Sequence, residues 1–347
     1  MIIDMNECVT FDDLLMVPQY SDIDSRSEIT LRTWLKPFLL SLPIISSPMD
    51  TVTGFDMARE IHDAGGIGIL HRFMSIELQC QMYEMLGATG CFPGAAVGTS
   101  GDSKERATAL FRSGCRMFCI DVAHGHHKAV AEMIKFIKTL GGIHEERVSV
   151  IAGSVATVDG YRFLDDNGAD VVRVGVGNGS ICSTRLETGH GHPQASALIA
   201  INAWREETKG NAKIMADGGM RKTGDIVKAL GLGADYVMLG SMLAGTTEAP
   251  GNLFVAPDGK QYKAYRGMAS IEAQEAFRGS AKSNEGISTT IPYKGEVRPI
   301  LEDIRQNIKS GLSYSGARTL DEFRKKVKFV RQTEAGKAES YTHILLR

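Results

Sequence analysis

The sequence predicts an α/β protein whose parallel strands close into a (β/α)8 TIM barrel, and three observations carry that prediction. Eight short apolar runs recur from residue 42 onward. Each of the gaps between them holds an amphipathic stretch of helical length. Gly- or Ser-rich turns mark the junctions, and the chain of 347 residues contains 38 glycines, well above the usual share of about 7%.

The apolar runs are Leu42–Ser47, Gly66–Leu70, Gly94–Thr99, Met117–Val122, Ser149–Val155, Val171–Val176, Lys213–Ala216 and Tyr236–Leu239. They are rich in Val and Ile without clear alternation, as parallel strands buried on both faces require. The intervening helices are expected near Gly54–Ala64, Ser75–Leu86, Ser103–Arg112, Lys128–Leu140, Val158–Asn167, Gln194–Glu207 and Gly224–Leu230. Several end at Gly-Ala or Gly-Gly, a common helix cap before a strand. An open doubly wound sheet uses the same alternation, but the count of eight favours a barrel. Length alone allows about two domains. The strand count instead puts residues 1–347 in one catalytic barrel domain, with an N-terminal arm over 1–41 and a long loop or flap over 245–299. Within that flap, Pro257-Asp258-Gly259-Lys260 reads as a hairpin turn and Phe277–Thr290 as a polar segment. The tail from Ile300 reads as helix, then strand or loop.

Composition excludes several classes. Charged residues at 23% and apolar residues at 43% suit a large buried core rather than disorder. Lys+Arg number 39 against Asp+Glu 41, so the basic excess of a nucleic-acid binder is absent. The longest apolar stretch, Pro37 to Met49, is too short for a bilayer span and is interrupted by proline, so no membrane partner is expected. Met1–Cys8 lacks the basic-then-apolar run of a signal peptide. Six cysteines without a CxxC pair fit reduced thiols, and a cytoplasmic location is expected.

The chemistry-bearing residues fall at the C-terminal ends of the predicted strands, the active rim of a barrel. Strand six runs into Gly175-Val176-Gly177-Asn178-Gly179-Ser180-Ile181-Cys182-Ser183-Thr184-Arg185. Its alternate glycines let backbone approach an ion or ligand, and Cys182 with Thr184 and Arg185 beside it fits an activated nucleophile. The plain alternative is a buried thiol in a glycine-rich turn. Strands seven and eight end in Ala216-Asp217-Gly218-Gly219 and Leu239-Gly240-Ser241-Met242. Consecutive turns of this kind suit phosphate, with Asp217 free to accept from a ribose diol. Asp121-Val122-Ala123-His124-Gly125-His126-His127 closes strand four, where Asp121 fits a substrate or cofactor contact better than the histidines fit a metal site. Met49, after strand one, is either core or a platform for a planar base. Glu285 lies in the polar loop, either solvated or catalytic.

Together these segments resemble the IMP dehydrogenase/GMP reductase family over nearly the whole chain. The resemblance rests on Thr10–Pro18, Ser46–Thr53, Gly177–Arg185, Ala216–Gly219 and Tyr265–Met268, in that order. It implies a barrel enzyme acting on a purine nucleoside monophosphate with a nicotinamide dinucleotide, typically as a homotetramer. Cys182 would attack the purine C2, with Thr184 and Glu285 in proton transfer. Asp217 would hold the ribose, and Gly218, Gly219, Gly240 and Ser241 the phosphate. Ser47, Met49, Tyr265, Gly267, Met268, Ser270, Glu285 and Gly286 would complete the nucleotide pocket. Asp121, Val122, Ala123 and Gly175 would meet the dinucleotide. The carbonyls of Gly177, Gly179 and Cys182 would ligate a monovalent metal cation, potassium in relatives. Most relatives have Gly-Pro-Gly where this chain has Gly177-Asn178-Gly179, which keeps the carbonyls and loses proline's rigidity.

Within the family, two features resemble the reductases. The regulatory insertion usual in the dehydrogenases after the position of Gln79 is absent. Only 16 residues separate Met268 from Glu285, and they include no Arg-Tyr pair of the kind that activates water in dehydrogenases; Arg278 is followed by Gly279. A reductase needs no such hydrolysis. The implied activity is NADPH-dependent reductive deamination of GMP to IMP and ammonia. The alternative is an IMP dehydrogenase lacking regulatory domains, using NAD, which Ser46–Met49, Met238–Met242 and Ala335–Ser340 resemble more.

Overall fold

Period-two alternation aims every second side chain of a strand at one face, and in this protein that face is the inside of a closed barrel. The computed structural model describes residues 7–143, 147–281 and 284–342. Its strands are β1 (Ile44–Ser46), β2 (Ile67–Leu70), β3 (Gly94–Val97), β4 (Met117–Asp121), β5 (Ser149–Val155), β6 (Val171–Val174), β7 (Lys213–Asp217) and β8 (Tyr236–Leu239). Each pairs in parallel with the next, and β8 closes onto β1. The barrel is therefore complete and has no open edge of its own.

Helices α1 (Phe55–Asp63), α2 (Ile76–Ala88), α3 (Ser103–Arg112), α4 (Lys128–Ile143), α5 (Val158–Asp166), α6 (Gln194–Thr208), α7 (Thr223–Gly231) and α8 (Val297–Tyr314) form the outer ring. Met57, Ala58 and Ile61 of α1 and Ile304, Ile308 and Leu312 of α8 are fully buried examples of the stripe each helix turns inward. A second, inner cluster fills the barrel: Ile45, Ile67, Ile69, Ala96, Met117, Cys119, Ile151, Val171, Met215, Tyr236 and Met238. Leu35 and Leu40, from an antiparallel hairpin of Thr33–Leu35 and Phe38–Leu40, join this cluster and plug the end of the barrel opposite the C-terminal ends of the strands.

Several predicted boundaries shift. The runs Leu42–Ser47, Met117–Val122 and Val171–Val176 are cut to the paired residues, because Val122 and Val176 already belong to rim loops. Strand seven gains Asp217. The segment after β8 is richer than a loop. Leu253–Val255, Gln261–Arg266 and Ser288–Pro292 form an antiparallel three-stranded sheet, with a helix at Ile271–Arg278. The expected turn closes its first hairpin, where Gly259 N–H donates to the Ala256 carbonyl. The tail adds a helix at Leu320–Lys326 and a strand at Lys328–Arg331 that pairs with Leu14–Val17 of the N-terminal arm. Residues 1–6 of the arm, hence most of Met1–Cys8, and Lys282–Ser283 of the polar segment lie outside the described residues. Among the described residues no helix is long and apolar enough to cross a membrane.

Candidate active site at the barrel mouth

A cavity of about 660 Å³ opens at the C-terminal ends of the strands, a size typical of small-molecule sites. The glycine-rich segment after β6 crosses its mouth and carries Cys182. Cys182 Sγ lies 3.2 Å from Thr184 Oγ1, and Thr184 Oγ1 donates to Glu285 Oε2 at 2.9 Å. A threonine hydroxyl has one proton. With that proton committed to the carboxylate, the thiol is the donor in the first contact. The three residues thus form a directed path from sulfur through hydroxyl to carboxylate.

The backbone holds this path in register. Cys182 pairs with Gly286 in an isolated antiparallel bridge, and Ser183 N–H donates to the Glu285 carbonyl at 3.1 Å. Ile287 N–H donates to Ile181 O, and Gly267 N–H to Ile287 O, each at 3.0 Å. The loop that carries Cys182 and the return of the flap are therefore one locked unit. Arg185 braces the loop from behind by donating to the His192 carbonyl at 2.5 Å and, more weakly, to Val176 O. Gly177 sits at φ +72°, and a Cβ there would stand 2.5 Å from Arg185 Cγ, so the brace requires glycine.

Beneath the loop lies an ion cluster that the sequence reading did not single out. Asp121 on β4, Arg173 on β6 and Asp217 on β7 continue the inward-facing series of Met117/Cys119, Val171 and Met215. Arg173 Nη2 donates to Asp121 Oδ1 at 2.8 Å and Nε to Ser154 Oγ at 3.0 Å, while Asp217 Oδ2 stands 3.5 Å away. Gly153 makes room, since a Cβ there would fall 2.6 Å from Arg173 Cβ. Burial raises the Asp217 carboxyl against the opposing pull of Arg173, with Asp121 adding to the rise. The signal for Arg173 was a lone cation inside Val-Val-Arg-Val: a charge in a doubly buried strand needs a partner. Arg72, just past β2 and also in the cavity wall, had the same kind of rim signal.

The cavity wall brings together Ser47, Met49, Asp121, Val122, Ala123, Gly175, Gly177, Gly179, Cys182, Thr184, Asp217, Gly218, Gly219, Gly240, Ser241, Tyr265, Gly267, Met268 and Glu285. Tyr265 reaches Ser180 Oγ through its hydroxyl at 3.2 Å, and a Cβ on Gly240 would lie 3.4 Å from both that hydroxyl and Met49 Sδ. Two predicted pocket residues stand behind the wall. Ser270 is fully buried and caps the helix Ile271–Arg278 by accepting from Ala273 N–H at 3.2 Å. Gly286 packs against Ser270 N and Gly267 Cα, from which a Cβ would stand only 3.0 and 3.3 Å away. His124, His126 and His127 are exposed. Among the described residues no group of three or more His, Cys, Asp or Glu is arranged to hold a metal.

The family model described as IMP dehydrogenase / GMP reductase domain matches residues 8–343. Inosine-5'-monophosphate dehydrogenase of Aquifex aeolicus (strain VF5) is 32% identical, over 98% of this chain and 96% of that protein. GMP reductase of Leishmania donovani is 30% identical, over 97% of each. A solved structure of a cysteine-to-alanine GMP reductase from Trypanosoma brucei, in complex with guanosine 5'-monophosphate, superposes with a TM-score of 0.89 at 30% identity, covering 98% of both chains.

Proposed function

Because the chain belongs to the IMP dehydrogenase/GMP reductase family, we propose that it is the reductase of the pair, converting GMP, NADPH and two protons into IMP, NADP+ and ammonium. The observation that carries the choice is the Cys182–Thr184–Glu285 path together with the flap that delivers Glu285. The 16 residues between Met268 and Glu285 hold no Arg-Tyr pair to activate water.

In the proposed reaction the Cys182 thiol gives up its proton along the path to Glu285, and Sγ bonds to purine C2 as the C2–N3 π pair moves onto N3. Glu285 returns a proton through Thr184 to the 2-amino group, the bond from C2 to that nitrogen breaks as the pair on N3 re-forms the C2–N3 double bond, and ammonia departs. Bound NADPH would supply a hydride to C2, with the π pair again moving onto N3, from which it returns to expel the sulfur. The C–S bond then breaks, the thiolate leaves, and IMP is released. Asp217 holds the ribose, and Gly218, Gly219, Gly240 and Ser241 the phosphate. Asp121, Val122 and Ala123 are the proposed dinucleotide contacts, and their place in the same cavity wall as Cys182 supports that assignment.

For the cation, the proposed ligands are the carbonyls of Gly177, Gly179 and Cys182, an all-oxygen set suited to potassium. Gly179 O already accepts from Cys182 N–H at 3.1 Å, which leaves one lone pair for the ion. We also propose a homotetramer, on the family resemblance.

A second reading, oxidation of IMP with NAD to XMP, is favoured by the dehydrogenase relatives and by Ala335–Ser340. It needs a base for water in the flap. Cys182→Ala tests the covalent step common to both. The variant is expected to bind nucleotide and turn over nothing, and retained turnover removes Cys182 as the nucleophile.

A further inference from the structure

The peptide joining Asp217 to Gly218 is held from one side by two carboxamides. Asn178 Nδ2 donates to the Asp217 carbonyl at 3.0 Å, and Gln194 Nε2 donates to it at 3.3 Å and to Val174 O at 2.8 Å. Gln194 is only 4% exposed, and carbonyl acceptors around its nitrogen fix which way the amide faces. Both lone pairs of the Asp217 carbonyl are thereby used.

Asn178 fits here because glycines surround it. A Cβ on Gly175 would stand 3.1 Å from Asn178 Nδ2 and 2.0 Å from Asp217 O. A Cβ on Gly218 would stand 2.9 Å from Asn178 Oδ1. Gly218 and Gly219 have φ of +78° and +79°, a conformation that needs an external hold to be the one populated.

A trans peptide points its N–H opposite to its C=O. Fixing the Asp217 carbonyl therefore fixes the Gly218 N–H on the far side from both carboxamides. Gly218 N–H turns toward β8, where Asp217 pairs with Met238, and among the described residues Gly219 donates its N–H to no backbone carbonyl in the turns and loops. A free N–H in a left-handed turn suits an anion.

We propose that Asn178 and Gln194 are positioning residues that clamp the Asp217 peptide and so hold the Gly218–Gly219 turn ready for the nucleotide's phosphate. The clamp does by side-chain hydrogen bonds on the neighbouring strand what the segment after β6 cannot do by rigidity. It rests on the purine-nucleotide reading above. Cys182 has its own supports in Thr184 and Gly286, so the clamp acts on binding rather than on the chemical step.

The test is calorimetric titration of the full chain and of Asn178→Ala, Asn178→Asp and Gln194→Ala with GMP, IMP and guanosine, alongside melting temperatures and steady-state kinetics. Asn178 is only half-buried, so its variants fold even if Gln194→Ala does not. Losing one hydrogen bond of the clamp is expected to weaken the monophosphates roughly fivefold, and Asn178→Asp more, since a carboxylate repels the carbonyl. Guanosine affinity is expected to change less than about twofold, and nucleotide KM to rise with kcat nearly kept. Equal weakening of GMP and guanosine, or a matched fall in kcat and melting temperature, assigns Asn178 a merely structural role and overturns the proposal. Unchanged monophosphate affinity overturns the clamp alone. A wild-type chain that binds neither GMP nor IMP removes the nucleotide reading and the clamp with it.

Discussion

Replacing Arg173 with Met removes the cation that holds two carboxylates at the barrel mouth. Its guanidinium is 6% exposed, hydrogen-bonded to Asp121 at 2.8 Å and to Ser154 at 3.0 Å, and 3.5 Å from Asp217. Stripping one partner from a buried pair costs about 3–5 kcal/mol. The Asp121 and Asp217 side chains keep 17% and 25% exposure, so water softens the penalty and about 3 kcal/mol is expected. The deficit has a pH signature. Asp217 is already raised by burial, and loss of Arg173 raises it further. A carboxyl raised in the folded state stabilises below its unfolded pKa and loses that contribution as pH rises through the folded value. The variant therefore falls further behind wild type at pH 8 than at pH 5. Arg173→Lys recovers part of the loss, because an ammonium meets one carboxylate where the planar fork spans both. Urea unfolding of the three proteins at both pH values is the assay. A Met variant within about 1 kcal/mol of wild type, or a deficit equal at both pH values, would refute the ion-cluster reasoning.

Burial pushes the His71 imidazole down to about 4, with Asp50 opposing, and its Nδ1 accepts from Phe73 N–H as a neutral ring does. The unfolded chain therefore binds the proton first, so stability of about 3 kcal/mol is lost as pH falls from about 6.5 toward 4; His71→Asn should flatten that slope in melting curves. Asp235, buried before β8, accepts from Arg205 at 2.5 Å and Ile214 N–H at 2.9 Å and is flanked by Arg324. Asp235→Ala should cost about 3–5 kcal/mol in urea unfolding, and a loss below about 1 kcal/mol would mean that those arginines find other partners. Glu285→Gln should lower kcat by about 100-fold or more with nucleotide affinity kept, and an unchanged kcat takes Glu285 out of proton transfer.

The barrel was readable because parallel strands buried on both faces must be continuous apolar runs, and eight of them can close. The rim was readable because Gly218, Gly219 and Gly177 occupy left-handed conformations that mark tight turns. What escaped was of two kinds. Ser288–Pro292 is polar and largely exposed, so nothing in its composition announces a strand; it is made by pairing with Gln261–Arg266. The pairing of Leu14–Val17 with Lys328–Arg331 joins the two ends of the chain and has no local cause. Arg173 was hidden in an apolar run because strand patterning counts hydrophobic residues and passes over the one that breaks the pattern. The resemblance places Ser270 in the nucleotide pocket, whereas its hydroxyl turns inward to cap the next helix.

The most direct test follows nicotinamide absorbance with the purified chain offered GMP plus NADPH and, separately, IMP plus NAD. Consumption of NADPH with formation of IMP and ammonium, and no NADH from IMP, is the predicted result. NADH formation from IMP with no reaction of GMP would contradict the reductase reading and make the chain a dehydrogenase with a different source of activated water.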